Sequence, residues 1–439
     1  MAQAEATSLR AEVTQLLQEL IRLDTVNPPG NETVAAELLR DYLAVNGVFC
    51  ELYSREPQRA NLVARIEGGD GPSLAFLAHT DTVLADPAEW DRDPWSGDLV
   101  DGEVWGRGAL DMKGQAAASA VAFASLAREG HALSGDLVLL LVADEEVGGL
   151  GEHEGYGLRW LVQAHPEAAR CDYAVNEGGG DRLVLGGAPV YVCATAEKMS
   201  SPFTVRVHGR SGHASMPGIA DNALVKAARY VEALGAYEPP RELIPEARGF
   251  FEAVLGEAPP LEEALARAAT LHPLLPALAE PLLSFTLSPT MIEASHQRNV
   301  IPALCEIKVD CRLLPEQTPA DVEPLIRAAL GDGHYELEWE GAVGGTRSPL
   351  RTPLWDALAE FTVGIEPGAR IAPTACPGFT DSHYLREAYG ATAYGFFPIR
   401  AMDTELATKL IHSANERIAV DDLELGVDML RTVARELLG

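Results

Sequence analysis

Residues 137–146 read Leu137-Val138-Leu139-Leu140-Leu141-Val142-Ala143-Asp144-Glu145-Glu146, an unbroken aliphatic run that passes directly into three acids. With Asp136 in front of it, the run falls far short of the ~20 apolar residues that span a bilayer. It fits a strand buried on both faces, as in a parallel sheet covered by helices. The acids at its end would repel one another strongly unless cations or protons neutralise them. Strand and acids belong together, because an open α/β sheet presents its functional groups at the ends of its strands.

Upstream, Val13, Leu16, Leu17, Leu20 and Ile21 recur at helical spacing behind Ser8, and Asn27-Pro28-Pro29-Gly30 ends that helix. A second helix is expected over Val34 to Val45, then strands at Val48 to Tyr53, Leu62 to Ile66 and Leu74 to Ala78, and a small-residue helix over Gly114 to Arg128. The alternation predicts an α/β catalytic domain whose mostly parallel central sheet is flanked by helices. From Thr195 the pattern changes. Phe203 to Val207 alternates with period 2, and the order β-α-β-β-α-β through Trp339 predicts a small inserted α+β domain. The expected division is residues 1–194 and 344–439 for the catalytic domain and 195–343 for the insert. Within the insert, about 237–281 is rich in Pro and Glu and is read as a helical embellishment, being too long for a simple loop.

The 439 residues suffice for two or three domains. A net charge of −31 repels phosphate backbones and anionic lipid surfaces, so neither nucleic acid nor a membrane is an expected partner. The six cysteines show no C-x-x-C spacing, which argues against a disulfide scaffold or a thiolate-bound zinc. The segment Met1-Ala2-Gln3-Ala4-Glu5 lacks the features of a signal peptide, and a cytoplasmic protein is expected.

Ligand-type residues recur at the ends of apolar strands. The strand at Leu74 runs into His79-Thr80-Asp81, where the carboxylate can accept the second imidazole N–H and fix the tautomer. Gly106-Arg107-Gly108-Ala109-Leu110-Asp111-Met112-Lys113-Gly114 carries one short acid among small and apolar residues. Asp144-Glu145-Glu146-Val147-Gly148-Gly149, Asn176-Glu177-Gly178-Gly179-Gly180 and Ile411-His412-Ser413-Ala414-Asn415-Glu416 complete the series. None is decisive singly, since a capping histidine, a glycine loop or a solvated acidic turn is the plain reading of each. Together, two histidines and several carboxylates without thiolates suit a pair of divalent ions such as Zn²⁺.

In this order the motifs resemble those of the co-catalytic dizinc hydrolases that include aminoacylase, acetylornithine deacetylase, succinyl-diaminopimelate desuccinylase and the glutamate carboxypeptidases. The resemblance implies that His79 and Glu177 are terminal ligands of one metal, that Glu146 and His412 are those of the other, and that Asp111 bridges them. It implies that Asp81 stands behind His79 and that Glu145 is the general base for attack of a dimetal-bound water on an amide. Two Zn²⁺ are implied, with Co²⁺ or Mn²⁺ as substitutes.

Gly209-Arg210-Ser211-Gly212-His213-Ala214-Ser215-Met216-Pro217 resembles the family's lid motif, in which the histidine, often of the partner subunit, stabilises the tetrahedral oxyanion. His213 is the implied counterpart. Asn299 and Arg312 match lid positions that contact substrate, and Gly378 falls in a loop similar to the family's glycine-rich loop near the metals. A homodimer through the lid is implied. Tyr191 to Lys198 and the long 237–281 stretch are similar to the carboxypeptidase and N-acyl-amino-acid hydrolase branch, although Met199 stands where glycine is usual there. The expected substrate is therefore a peptide or N-acyl amino acid with a free carboxylate. The alternatives are a deacylase of an acetylornithine- or succinyl-diaminopimelate-type intermediate and a non-catalytic binding protein on the same fold.

Overall fold

A computed structural model describes residues 8–147, 155–272, 275, 279 and 282–439. Gly148 and Gly149 of the acidic turn, the segment Met1 to Glu5 and part of the 237–281 stretch lie outside them.

Among the described residues nine strands form the larger sheet. Across it run Cys50–Ser54, Ala60–Ile66, Leu137–Val142, Leu74–His79, Tyr173–Asn176, Thr392–Gly395, Ala188–Glu197 and Arg370–Cys376, with Arg182–Leu185 paired to Ala188–Glu197. The centre is parallel: Leu74–His79 pairs in parallel with both Leu137–Val142 and Tyr173–Asn176, and Thr392–Gly395 continues from Tyr173–Asn176. Elsewhere the sheet is mixed. Cys50–Ser54, Ala60–Ile66 and Leu137–Val142 run antiparallel in succession, as do Thr392–Gly395 and Ala188–Glu197. A buried aliphatic strand reads the same in either direction, so periodicity alone does not expose this difference.

Both faces are covered. Leu137, Leu139 and Leu141 enter a core with the helices Leu9–Ile21, Lys113–Glu129, Pro353–Ile365 and Val420–Leu438. Val138, Leu140 and Val142 face the opposite way, toward Leu158, Leu161 and Leu385. The strand residues therefore alternate between two apolar layers, which explains why none of the run is polar.

A second sheet is antiparallel, with Tyr335–Trp339, Phe203–His208, Leu304–Leu313 and Thr286–Glu293 side by side. The helices Ala223–Gly235 and Pro319–Leu330 cover it over Val205, Val207, Ile307 and Val309, giving the expected β-α-β-β-α-β order. The 237–281 stretch contains the helices Pro245–Leu255 and Leu261–Leu271. They pack on the larger sheet: Phe250, Phe251 and Val254 share a core with Val190, Ala196, Ala372 and Ala375. The embellishment thus roofs the end of the large sheet around Arg370–Cys376. Among the described residues no helix is long and apolar enough to cross a membrane.

Candidate metal centre

His79 closes its strand and is buried. Its Nδ1 faces the Asp81 carbonyl at 3.1 Å and the Asp81 carboxylate at 3.4 Å, which directs the Nε2 lone pair away from that residue. That Nε2 lies 3.1 Å from Asp111 Oδ1 and 3.9 Å from Glu177 Oε1. His412 Nε2 lies 3.1 Å from Asp111 Oδ2 and 3.1 Å from Glu146 Oε2. Asp111 therefore offers one oxygen to each imidazole, the arrangement a bridging carboxylate requires. Ligand-type atoms of His79, Glu145 and Glu177 lie within 4.8 Å of one another, as do those of His79, Asp111 and Glu146.

The protein builds this cluster from behind. Asp81 is buried and accepts the backbone N–H groups of Glu145 at 3.2 Å and Glu146 at 3.1 Å, fixing the turn that carries both. Asn27 Nδ2 donates at 2.9 Å to Asp81 and to Asp144. Asp144 turns away from the cluster, taking a 2.9 Å bond from Arg59, which also pairs with buried Glu32. Arg59 thus holds one of the three consecutive acids in a shared ion pair with Glu32, leaving Glu145 and Glu146 toward the cluster. On the other side Glu416, fully buried, accepts from the backbone N–H of Leu110, Asp111 and Gly108 and from Arg107 Nη1. Asp144 and His412 adopt φ of +63° and +58°, a conformation costly for residues with a Cβ and held here by this surrounding network.

The electrostatics show excess negative charge. Burial, then neighbouring carboxylates, push Glu145 and Glu177 well above the carboxylate range, and burial raises Asp381 to about 8. Hydrogen bonds to Asp111 and Glu146 raise His412 to about 10. Burial opposes charge on His79, yet Asp111 and Asp81 outweigh it and hold its pKa well above the imidazole value. Protons are thus retained where cations would otherwise balance the carboxylates. Glu146 Oε1 is also buried without a hydrogen-bond partner. Imidazole nitrogens, carboxylate oxygens and an orphaned buried oxygen together fit hard-to-borderline divalent ions.

A cavity of about 450 Å³ opens beside the cluster, lined by Glu145, Glu177 and His412 and walled by apolar residues such as Leu110, Phe397 and Ile411. Gly378 lines it. The other sequence-predicted contacts lie elsewhere. His213 is exposed on a short strand paired with Val300–Ile301, and its Nδ1 is 2.8 Å from Ser215 Oγ. Asn299 is also exposed, and its backbone carbonyl accepts from Ala214 N–H, so the two motifs adjoin each other. Arg312 forks onto Asp310, with Nε at 2.9 Å and Nη2 at 3.0 Å from its oxygens. The sequence motifs include Glu416 and the loop of Asp381 without giving either residue a role, and Asn27 and Arg59 carry no predicted role in the site. The signal for Glu416 is its place in the His412 motif together with an arginine, Arg107, within the glycine-rich loop.

Residues 75–436 match peptidase family M20/M25/M40. The chain is 29% identical to a succinyl-diaminopimelate desuccinylase of Methylobacterium sp. (strain 4-46), covering 96% of this chain and 94% of that one. It is 26% identical to the N-fatty-acyl-amino acid synthase/hydrolase PM20D1 of Xenopus tropicalis, covering 95% and 84%. Its fold is similar to that of the M20 family metallo-carboxypeptidase Sso-CP2 from Sulfolobus solfataricus, with a TM-score of 0.72, 21% identity, and 97% and 99% of the two chains covered. The chain belongs to peptidase family M20/M25/M40 and is a metallohydrolase of that family.

Proposed function

We propose that the protein hydrolyses an amide, in a peptide or an N-acyl amino acid, next to a free carboxylate. The observation that carries this reading is Asp111 set between the imidazoles of His79 and His412 with one oxygen 3.1 Å from each. His79 and Glu177 would hold one divalent ion, Glu146 and His412 a second, and Asp111 both, with Zn²⁺ the expected metal and Co²⁺ or Mn²⁺ able to replace it. When bound, such ions supply Lewis acidity that polarises an amide carbonyl and lowers the pKa of nearby water. Glu145, fixed through its backbone by Asp81, takes the proton of the attacking water and passes it to the leaving nitrogen. The C–N bond breaks to give a carboxylate and an amine, with no acyl-enzyme.

Gly378 lies on the cavity wall and is assigned to substrate binding. His213, Asn299 and Arg312 are assigned to a lid, residues 195–343, that completes the site from the partner subunit of a homodimer. Exposed apolar side chains on that part of the chain support the dimer: Val225, Ile219, Met291 and Met216 are all more than half exposed. The net charge of −31 suits a cytoplasmic protein without nucleic-acid partners. The desuccinylase likeness favours a second reading, in which the substrate is an N-succinyl or N-acetyl biosynthetic intermediate.

The test is metal-loaded protein assayed on dipeptides, N-acyl amino acids and their C-terminal amides. Hydrolysis confined to substrates with a free carboxylate is expected; equal turnover of the amides would sink the reading.

A further inference from the structure

The cavity beside the cluster carries one carboxylate that the hydrolytic reading leaves unused. Asp181 lies four residues beyond Glu177, after three glycines, and lines the same cavity as Phe397, Ile399 and Ile411. Its main chain is fixed within the fold: its carbonyl accepts Val192 N–H at 3.0 Å, and it bridges to Ile399. Among the described residues its carboxylate is hydrogen-bonded only to its own backbone N–H and has no ion pair, and burial outweighs that bond and raises its pKa. The adjacent guanidinium of Arg182 is committed to Glu366 at 2.5 and 2.7 Å. No lysine or arginine is among the described residues that line the cavity.

Two divalent ions would balance Asp111, Glu145, Glu146 and Glu177 and leave Asp181 uncompensated. A lone carboxylate against apolar walls attracts a cation or N–H donor and repels an anion, more strongly than in water because the surroundings screen poorly. We infer that Asp181 sets the specificity of this cavity, admitting a substrate group that ends in an ammonium or an N–H donor and turning away one that ends in a carboxylate. The inference rests on the proposed amide hydrolysis, with the acyl group in this cavity and the free carboxylate left to Arg312 of the proposed lid, and narrows it: an acidic acyl group such as succinyl is a poor substrate.

Three substrates with the same number of acyl carbons test it on the metal-loaded enzyme: N-(4-aminobutanoyl)-, N-butanoyl- and N-succinyl-leucine. The aminobutanoyl compound is expected to exceed the succinyl compound in kcat/KM by about tenfold or more. Asp181→Asn is expected to shrink that ratio by a similar factor, mainly through KM, while Asp181→Glu retains it. A succinyl preference in the wild type, or a ratio unchanged in Asp181→Asn, overturns the inference. If the wild type hydrolyses none of the three, the hydrolytic reading fails for these substrates, and calorimetric binding of the same compounds decides the inference. The same order of affinity, lost in Asp181→Asn, supports it; equal or absent binding overturns it.

Discussion

Glu416 accepts the backbone N–H of Asp111 at 3.0 Å. A residue on the turn beyond His412 thereby positions the carboxylate that lies between His412 and His79. Glu416 also neutralises Arg107 at 2.7 Å inside the protein. Glu416→Gln should weaken metal binding by about 10–100-fold. It should also destabilise the fold by roughly 3–5 kcal/mol, because Arg107 loses its buried partner. Calorimetric metal titration with urea unfolding checks both effects. An unchanged metal affinity would show that Asp111 holds its place without Glu416.

Glu145 is anchored by its backbone N–H to Asp81, so its carboxylate can be altered without disturbing the turn. Glu145→Gln should retain two equivalents of metal and lose about a hundred- to ten-thousand-fold in kcat. Metal analysis and turnover measured on the same preparation provide the check. Normal turnover would remove Glu145 from the proton-transfer role.

His383 gives a stability prediction away from the cluster. Its side chain is largely buried, its Nδ1 has no hydrogen-bond partner, and burial, with Arg386 and Arg159 adding to it, lowers its pKa to about 4. The unfolded chain takes up this proton near the ordinary value of 6.5, before the native state does. The contribution to stability is therefore complete above pH ~6.5 and is lost as pH falls toward 4. Its upper limit is roughly 3 kcal/mol. His383→Leu should flatten the stability curve in this window, as measured by urea unfolding at pH 5 and pH 7. Parallel curves for variant and wild type would refute the assignment.

The proposed homodimer predicts its own disruption. Val225 on the helix Ala223–Gly235 and Ile292 on the edge strand Thr286–Glu293 are exposed by 69% and 48%, on neighbouring elements. Val225→Asp combined with Ile292→Lys should halve the mass seen by light scattering. Turnover should fall with it while metal content holds, because His213 would no longer reach a partner's site. A fully active monomer would exclude a partner-supplied histidine.

The cluster was legible in the sequence for a physical reason. A strand buried on both faces must be apolar throughout, so ligand-type residues become conspicuous where it ends, as at His79, Glu145 and Glu177. Its supports were not legible, because they depend on tertiary pairing. In sequence Asp144 is one of three consecutive acids, and its pairing with Arg59, far away in the chain, is set only by the fold. The 237–281 helices could be recognised as helices, yet nothing in them indicated that Phe251 would pack against the Arg370–Cys376 region. Strand direction was equally hidden: Ala60–Ile66 and Leu74–His79 are similarly apolar, yet they pair with opposite edges of Leu137–Val142, one antiparallel and the other parallel.

Thr392–Gly395 sits in the middle of the large sheet, between Tyr173–Asn176 and Ala188–Glu197. In a chain emerging from the ribosome, those two flanking strands are made long before the strand that joins them. Until residue 395 is available, the half-built sheet carries two unpaired, largely apolar edges, the kind of surface that recruits other chains. Synthesis therefore passes through a long interval in which those edges await their partner, and His412, made later still, joins the cluster only once the sheet can close.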